Sequence, residues 1–302
     1  MALRRSLARF QRKDSAGRWP ISDSAGIPPR GWRGWPDGKR FALVLTHDVE
    51  GNEGLAKCSA LMQLEKRLGF RSSFNFVPEG SYRVSRALLN EFVENGFEVG
   101  VHDLHHNGKL YRSKVRFDAA VPRINEYLHE WNAVGFRSGF MHRNLEWLHA
   151  LDIEYDMSTF DTDPFEPQPD GVNTIFPFLI SNGSSKTYAE MPYTLPQDST
   201  LFLLLKEKSI AIWKRKLDWI AERGGMALLN VHPDYISFNG TCRNEFPAAM
   251  YEEFLAYVRN RYNDSVCYML PRDVAAFVRA QSQARVPLAK CGNGYDSFKA
   301  RA

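Results

Sequence analysis

The sequence predicts an α/β fold, an irregular (β/α) barrel of about seven parallel strands preceded by an extended N-terminal tail. Three observations point there. From residue 41 onward, short apolar, β-branched or aromatic runs alternate with segments of helical periodicity, the pattern of a parallel sheet. The 302 residues hold one barrel of roughly 250 residues plus tails as readily as two domains of about 150. Hydrophobic residues at 44% and charged residues at 25% are those of an ordinary globular chain, which excludes wholesale disorder, collagen and coiled coil. An open, doubly wound sheet is the alternative architecture.

The elements follow in order. Phe41–Thr46 reads as a buried strand, and Gly54–Leu68 as an amphipathic helix with Leu55, Cys58, Leu61, Met62 and Leu68 on one broad face. Ser73–Val77 is a second strand, Arg86–Glu94 a helix, Phe97–Val101 a third strand. Val115–Trp131 is a helix that Pro122 should kink or divide. Gly135–Phe140 is a fourth strand, Leu145–Leu151 a short helix, Ile153–Ser158 a fifth strand. Residues 160–200, rich in Asp, Pro, Gly and Ser, interrupt the rhythm, and so long a loop in a compact domain is usually functional. Helices at Ile210–Arg223, Ala248–Arg261 and Arg272–Gln283 then alternate with strands at Met226–Val231 and Val266–Leu270. No internal repeat is present. The domain reading is a tail over 1–40, a barrel over 41–285 and a C-terminal tail over 286–302.

Net charge is +4, but residues 1–40 carry ten Lys and Arg against three Asp, a surplus of seven that leaves the remainder at −3. The basic charge therefore belongs to the tail, which is either a solvated extension or a peripheral contact with an anionic membrane. Trp19, Trp32 and Trp35 imply that its second half packs onto the body, and Pro20, Pro28, Pro29 and Pro36 that it is extended there. The longest apolar runs, Phe41 to Leu45 and Leu201 to Leu205, fall far short of the ~18 residues of a membrane span. The N-terminal residues lack the continuous apolar stretch of a secretory signal, so a cytoplasmic location is expected. Cys58, Cys242, Cys267 and Cys291 form no CxxC pair and suggest no cysteine zinc site. With no Walker loop and no GxGxxG, nucleotide binding has no motif support, and no nucleic-acid partner is expected.

In parallel α/β folds the reactive groups sit just past the C-terminal ends of strands. Five strand ends here carry ionisable residues: Thr46-His47-Asp48-Val49-Glu50, Val101-His102-Asp103-Leu104-His105-His106, Arg137, Asp161 with Asp163, and His232-Pro233-Asp234-Tyr235. Asp48 and Glu50, two apart, share a face of an extended chain, and neighbouring carboxylates stay ionised together only with a cation between them. His102 and His106 lie one helical turn apart, so both imidazoles can address one ion. Two histidines and a carboxylate suit a zinc-type ion with open positions for water. The pattern is not that of the HExxH zincins.

Taken together, residues 41–275 resemble the polysaccharide deacetylase (NodB-homology) family of carbohydrate esterases, whose five motifs find counterparts in order. The first, Thr-Phe-Asp-Asp, matches Thr46-His47-Asp48-Val49, which implies Asp48 as catalytic base. Val49 stands where the ligand Asp would be; branches with Asp-Val-Asp place that ligand one residue later, on Glu50 here. The second, His-Ser-x-x-His, matches His102 and His106 as the other metal ligands. The third, Arg followed two residues on by Pro, matches Arg137 with Gly139 in the proline position. The fourth, an Asp that orients the Arg, is Asp161 or Asp163, and the fifth, Leu-x-x-His, is Leu229 to His232. The resemblance implies an irregular barrel holding one divalent metal, zinc first with cobalt or nickel as alternatives. The implied reaction is hydrolysis of an acetyl group, foremost N-acetyl, on a sugar, and the expected cytoplasmic location points to a glycan precursor in surface polysaccharide or glycolipid biosynthesis. In it Arg137 keeps Asp48 ionised, and a cationic His232, which needs a neighbouring carboxylate, protonates the leaving amine.

Aromatic residues near the expected mouth, Trp147, Phe160, Phe165 and Tyr235, are candidates for stacking on a sugar, Trp147 and Tyr235 foremost. His105 and His142 read as turn residues. Two other functions remain open: hydrolysis of a different small C–N bond, as in a ureide or cyclic imide, and glycan binding without catalysis, which the altered first motif would allow.

Overall fold

The computed structural model describes residues 2–183, 186–240 and 244–283. The expected C-terminal tail over 286–302, Cys242 and Cys291 lie outside them. Strand β1 (Phe41–Val49) is buried along its whole length, which is why it reads as an apolar run. It pairs in parallel with β8 (Met226–Asn230) on one edge, and with β11 (Val266–Tyr268) and then β2 (Ser73–Phe76) on the other. From β2 the sheet continues in parallel through β3 (Glu98–His102), β4 (Gly135–Arg137), β5 (Tyr155–Asp156) and β7 (Thr187–Glu190). It ends on β6 (Phe178–Ser181), which is antiparallel to β7. A separate two-stranded ladder joins β9 (Ile236–Ser237) to β10 (Phe246–Pro247).

The sheet curls into an irregular (β/α) barrel, and the gap between β7 and β8 is bridged by irregular chain. Thr194 and Leu195 both donate backbone N–H bonds to the Leu228 carbonyl, each at 3.1 Å. Thr194 Oγ1 donates to the Met226 carbonyl at 2.7 Å and accepts from Leu228 N at 3.0 Å. Alternation along each strand separates two cores. Ala42 and Val44 of β1, with Met226 and Leu228 of β8, face the barrel interior. Phe41, Leu43 and Leu45, with Ala227 and Leu229, face the helical layer. That layer is α2 (Asn52–Arg67), α3 (Arg86–Glu94), α4 (Lys114–Trp131), α5 (Ala211–Arg223) and α6 (Ala248–Tyr262). Trp35 joins Val274 and Val278 of α7 (Pro271–Gln283) in the interior core, near the N-terminal ends of the strands. The opposite end holds the candidate site.

Several local expectations differ from the structure. Pro122 does not divide α4, which runs unbroken through it: the proline sits on the exposed face, where the carbonyl it leaves unbonded can be hydrated. The segment 160–200 is not wholly loop: it contains the β6–β7 hairpin and a π-helical turn at Ser199–Leu204. The Leu145–Leu151 helix is only a 3-10 turn at Trp147–Ala150. The tail begins as a helix, α1 (Ala2–Asp14), composed mostly of strong helix formers. Beyond it, Trp19 meets Phe165 edge-on with ring centroids 5.0 Å apart. Trp35 donates its indole N–H to the Gly224 carbonyl at 2.9 Å and stacks on Phe277.

Candidate active site and metal centre

β1 extends three residues past its expected end, so Thr46 and Asp48 point into the barrel while His47 points into the helical layer. His47 is thereby structural: Nδ1 lies 2.7 Å from the Val231 carbonyl and Nε2 2.8 Å from Glu65 of α2. Asp48 lies 2% exposed at the floor of a cleft of about 500 Å³ that also exposes Glu50, His102, His106, His232 and Tyr235. Four hydrogen bonds hold its carboxylate. Asn75 of β2 donates to Oδ1 at 2.9 Å, Asn230 of β8 to Oδ2 at 2.8 Å, and Arg137 Nη1 to both oxygens at 3.3 and 3.2 Å. Burial pushes this carboxyl up, but the charges of Arg137, His102 and His232 and the Asn75 bond outweigh it, holding Asp48 well below the usual carboxylate range. Asn75 reaches Asp48 across Gly100, where a Cβ would stand 2.2 Å from the Asn75 amide oxygen.

Arg137 is completely buried on β4. Its Nε donates to the Met157 carbonyl at 2.9 Å and its Nη1 also to Thr46 Oγ1 at 3.0 Å. Neither Asp161 nor Asp163 orients it, contrary to expectation. Asp161 forms a buried ion pair with Lys216 of α5, and Asp163 accepts from the Tyr193 hydroxyl at 3.0 Å. Burial lifts both carboxyls above their ordinary values. Asp156 of β5 also feels the Arg137 charge: burial raises its carboxyl, and Arg137 is among the groups opposing that rise. Asp156 also accepts from Ser158 N and Ser158 Oγ, each at 2.8 Å, and Ser158 Oγ accepts from Ser138 N at 2.9 Å, bracing the residue after Arg137.

Glu50 continues the face of Asp48. Its N–H donates to Asp234 at 2.9 Å, and its Oε2 accepts from the Tyr235 hydroxyl at 2.6 Å. Oε1 is left 3.2 Å from His106 Nε2 and 3.8 Å from His232 Nε2. Burial raises the Glu50 carboxyl, but His106 and His232 lower it further, to about 2. His102 and His106 approach to a ring-centroid distance of 4.8 Å, though not through a helical turn. The chain bends back through left-handed conformations at Asp103 (φ 57°) and His106 (φ 47°), strain of about 1 kcal/mol or more per residue that the packing around them sustains. Gly139 permits the bend: a Cβ there would lie 2.6 Å from Asp103 Oδ2 and 2.9 Å from His106 Cδ2, which accounts for glycine in this position.

Glu50, His102 and His106 each offer a ligand atom, all within 4.8 Å of one another. The donor set fits a divalent transition ion. His102 Nδ1 lies 3.0 Å from the Arg137 carbonyl, which only accepts, so Nδ1 carries the hydrogen and the Nε2 lone pair is free. That Nε2 is buried with no hydrogen-bond partner, a costly state unless something accepts the lone pair.

His232 follows β8. Asp198, just before the π-helical turn, takes the His232 backbone N–H at 2.9 Å and lies 2.6 Å from its Nδ1. Burial pulls the imidazole down, but Asp198, Glu50 and Asp48 raise it to about 10, so it is cationic at neutral pH with Nε2–H toward the cleft. Asn230 Nδ2 lies 3.4 Å from that nitrogen, but its two hydrogens already serve Asp48 and Gln197 Oε1. Asp198 is thus the neighbouring carboxylate that a cationic His232 requires. Asp234, the nearest in sequence, is engaged with Glu50 and Gly54 instead.

Tyr235 lines the cleft and also braces Glu50. Trp147 does not line it: it packs beside Tyr111 and Phe117, away from the expected sugar position. Phe160 is fully buried, whereas Phe165 reaches the cleft wall. His105 is an exposed turn residue beside Glu79. His142 is half-buried after the turn that carries Phe140.

Neither a family model nor a curated protein sequence matches the chain. Among solved structures, a protein of Mycobacterium smegmatis assigned as a polysaccharide deacetylase superposes with a TM-score of 0.63 at 20% identity, covering 85% of this chain and 96% of that one. The fold is that of a polysaccharide deacetylase. A peptidoglycan deacetylase from Bacillus subtilis (TM-score 0.48, 14% identity, 83% of this chain and 96% of that one) is a more distant likeness. So is a family 4 acetyl xylan esterase from Clostridium thermocellum in complex with a cobalt ion (TM-score 0.48, 9% identity, 78% and 91%). In this fold Asp48, Glu50, His102, His106, Arg137 and His232 lie at or just beyond the C-terminal ends of β1, β3, β4 and β8, while Phe165 and Asp198 come from the chain that follows β5 and β7.

Proposed function

We propose that the chain is a metal-dependent hydrolase that removes an acetyl group, foremost N-acetyl, from a sugar or glycan precursor. The observation that carries this reading is the pairing, across one cleft, of an ionised Asp48 with a cationic His232 beside the Glu50, His102 and His106 cluster. A divalent ion held by those three residues would supply the Lewis acidity that polarises the acetyl carbonyl and acidifies the attacking water. Asp48 accepts the proton of that water, and because its carboxyl is held so low, it does so only from a strongly acidified donor. Asn75, Asn230 and Arg137 keep the carboxylate in place throughout. His232 delivers its Nε2 proton to the departing nitrogen, and Asp198 stabilises the cation beforehand. Water is consumed, the C–N bond breaks, and acetate and an amine leave. The fold shared with the Mycobacterium smegmatis protein supports the substrate class.

The test is acetate release from N-acetylated oligosaccharides by protein loaded with zinc, cobalt or nickel, beside Asp48→Asn. Loss of about 10³-fold with the fold retained is expected. Turnover unchanged in the variant, or no turnover with any of the three ions despite sugar binding, overturns the reading.

A further inference from the structure

The helix α1 has an unpartnered apolar face in a strongly basic segment. Ala8 is buried against the body, and Gln11 donates to the Pro164 carbonyl at 3.0 Å, so this side is the docked one. Leu7 and Phe10, one turn apart, are 58% and 66% exposed. The segment carries Arg4, Arg5, Arg9, Arg12 and Lys13 against Asp14 alone, and Lys13 is exposed. The helix is also fixed to the walls of the cleft. Gln11 holds it to the chain beside Phe165, and Arg12 pairs at 2.7 Å with Glu207, shortly after Leu203 and Leu204. Phe165, Leu203 and Leu204 all line the cleft, and Phe140 on its rim is 46% exposed. Among the described residues no helix is long and apolar enough to cross a membrane, so any lipid contact made here is peripheral.

We propose that α1 seats the protein on an anionic bilayer, with Leu7 and Phe10 entering the interface, Lys13 meeting lipid headgroups and the positive surplus of the segment drawing it there, so that the cleft opens beside the membrane. Apolar side chains at one-turn spacing within a basic helix match such a surface in both respects. A nucleic acid would use the charge but leave Leu7 and Phe10 unburied, and an apolar protein groove would use those two but gain nothing from five basic residues. The docking does not depend on the reaction proposed above.

Co-sedimentation of the full chain with vesicles tests it, using 30% phosphatidylglycerol in phosphatidylcholine against phosphatidylcholine alone. Binding at least about tenfold stronger to the anionic vesicles, and lost in 0.5 M salt, is expected. The Leu7→Ser, Phe10→Ser double variant should bind about tenfold more weakly with an unchanged melting temperature, and Lys13→Glu about fivefold or more. Equal partitioning to both vesicles, or full binding by the double variant, overturns the proposal. So does a wild-type dimer that the double variant turns into a monomer without lipid, since the face would then belong to a second copy.

Discussion

In the proposed reaction, His232 and Asp198 form the contact on which proton delivery turns. Replacing Asp198 by Asn keeps a hydrogen-bond acceptor near Nδ1 but removes the charge that holds the imidazole near 10. The histidine then loses its proton at lower pH. The alkaline limb of the kcat profile should therefore move down by more than one pH unit, with kcat at neutral pH falling about 10²-fold. A profile recorded on both proteins checks this. Gly139→Ala should cost about 1–3 kcal/mol, read in urea denaturation, because the new Cβ forces Asp103 or His106 to move. The residues that meet in the cleft were legible where the sequence places an ionisable group directly after a strand: Asp48, Glu50, His102, His106, Arg137 and His232. Asp198 and Asn75 were not, because only the folded order of strands brings them beside His232 and Asp48. Asp161 and Asp163 misled for the converse reason: nothing local distinguishes an acid that faces Arg137 from one that faces Lys216 or Tyr193.

At the scale of elements, β3 begins with Glu98, a buried acid remote from the cleft. Tyr155 of β5 donates to it at 2.8 Å and Arg272 N at 3.1 Å. Burial lifts its carboxyl from 4.5 to about 7 despite Arg272 and the Tyr155 bond. The folded state thus holds a proton that the unfolded chain releases near 4.5. The resulting stability is full below that pH, is lost as pH rises toward 7, and stays lost above, a span of about 3 kcal/mol. Glu98→Gln should flatten this slope and denature at higher urea than the wild type at pH 8. The long periodic helices and the buried strands stood out in the sequence because each buries a broad face. The β6–β7 hairpin did not, since β6 is largely half-exposed and lies in a stretch dominated by turn formers. Nor did α1, whose helix formers belong to a tail that the prolines and tryptophans after it mark as extended.

For the whole molecule, the residues before β1 contribute to the body. Trp35 is 4% exposed within the interior core, so Trp35→Ala should cost about 3–5 kcal/mol, seen as a lowered denaturation midpoint. The candidate ligands Glu50, His102 and His106 join β1 to the bend after β3, and ion binding should tighten that junction. Zinc at about a hundredfold over its dissociation constant should raise the melting temperature by roughly 5 °C, and the His102→Ala, His106→Ala variant should show no rise.

The bridge between β7 and β8 is expected to open first when the molecule comes apart. Thr194 and Leu195 hold that join through a few bonds to Met226 and Leu228, and Gln197 and Asp198 follow within four residues. Slackening there would withdraw Asp198 from His232 while the rest of the sheet stays laced. The amide of Leu195 should take up deuterium well before those of Val44 or Leu45, and on gentle heating turnover should fade ahead of the loss of secondary structure. The protein would then fall silent at its seam first, folded but idle.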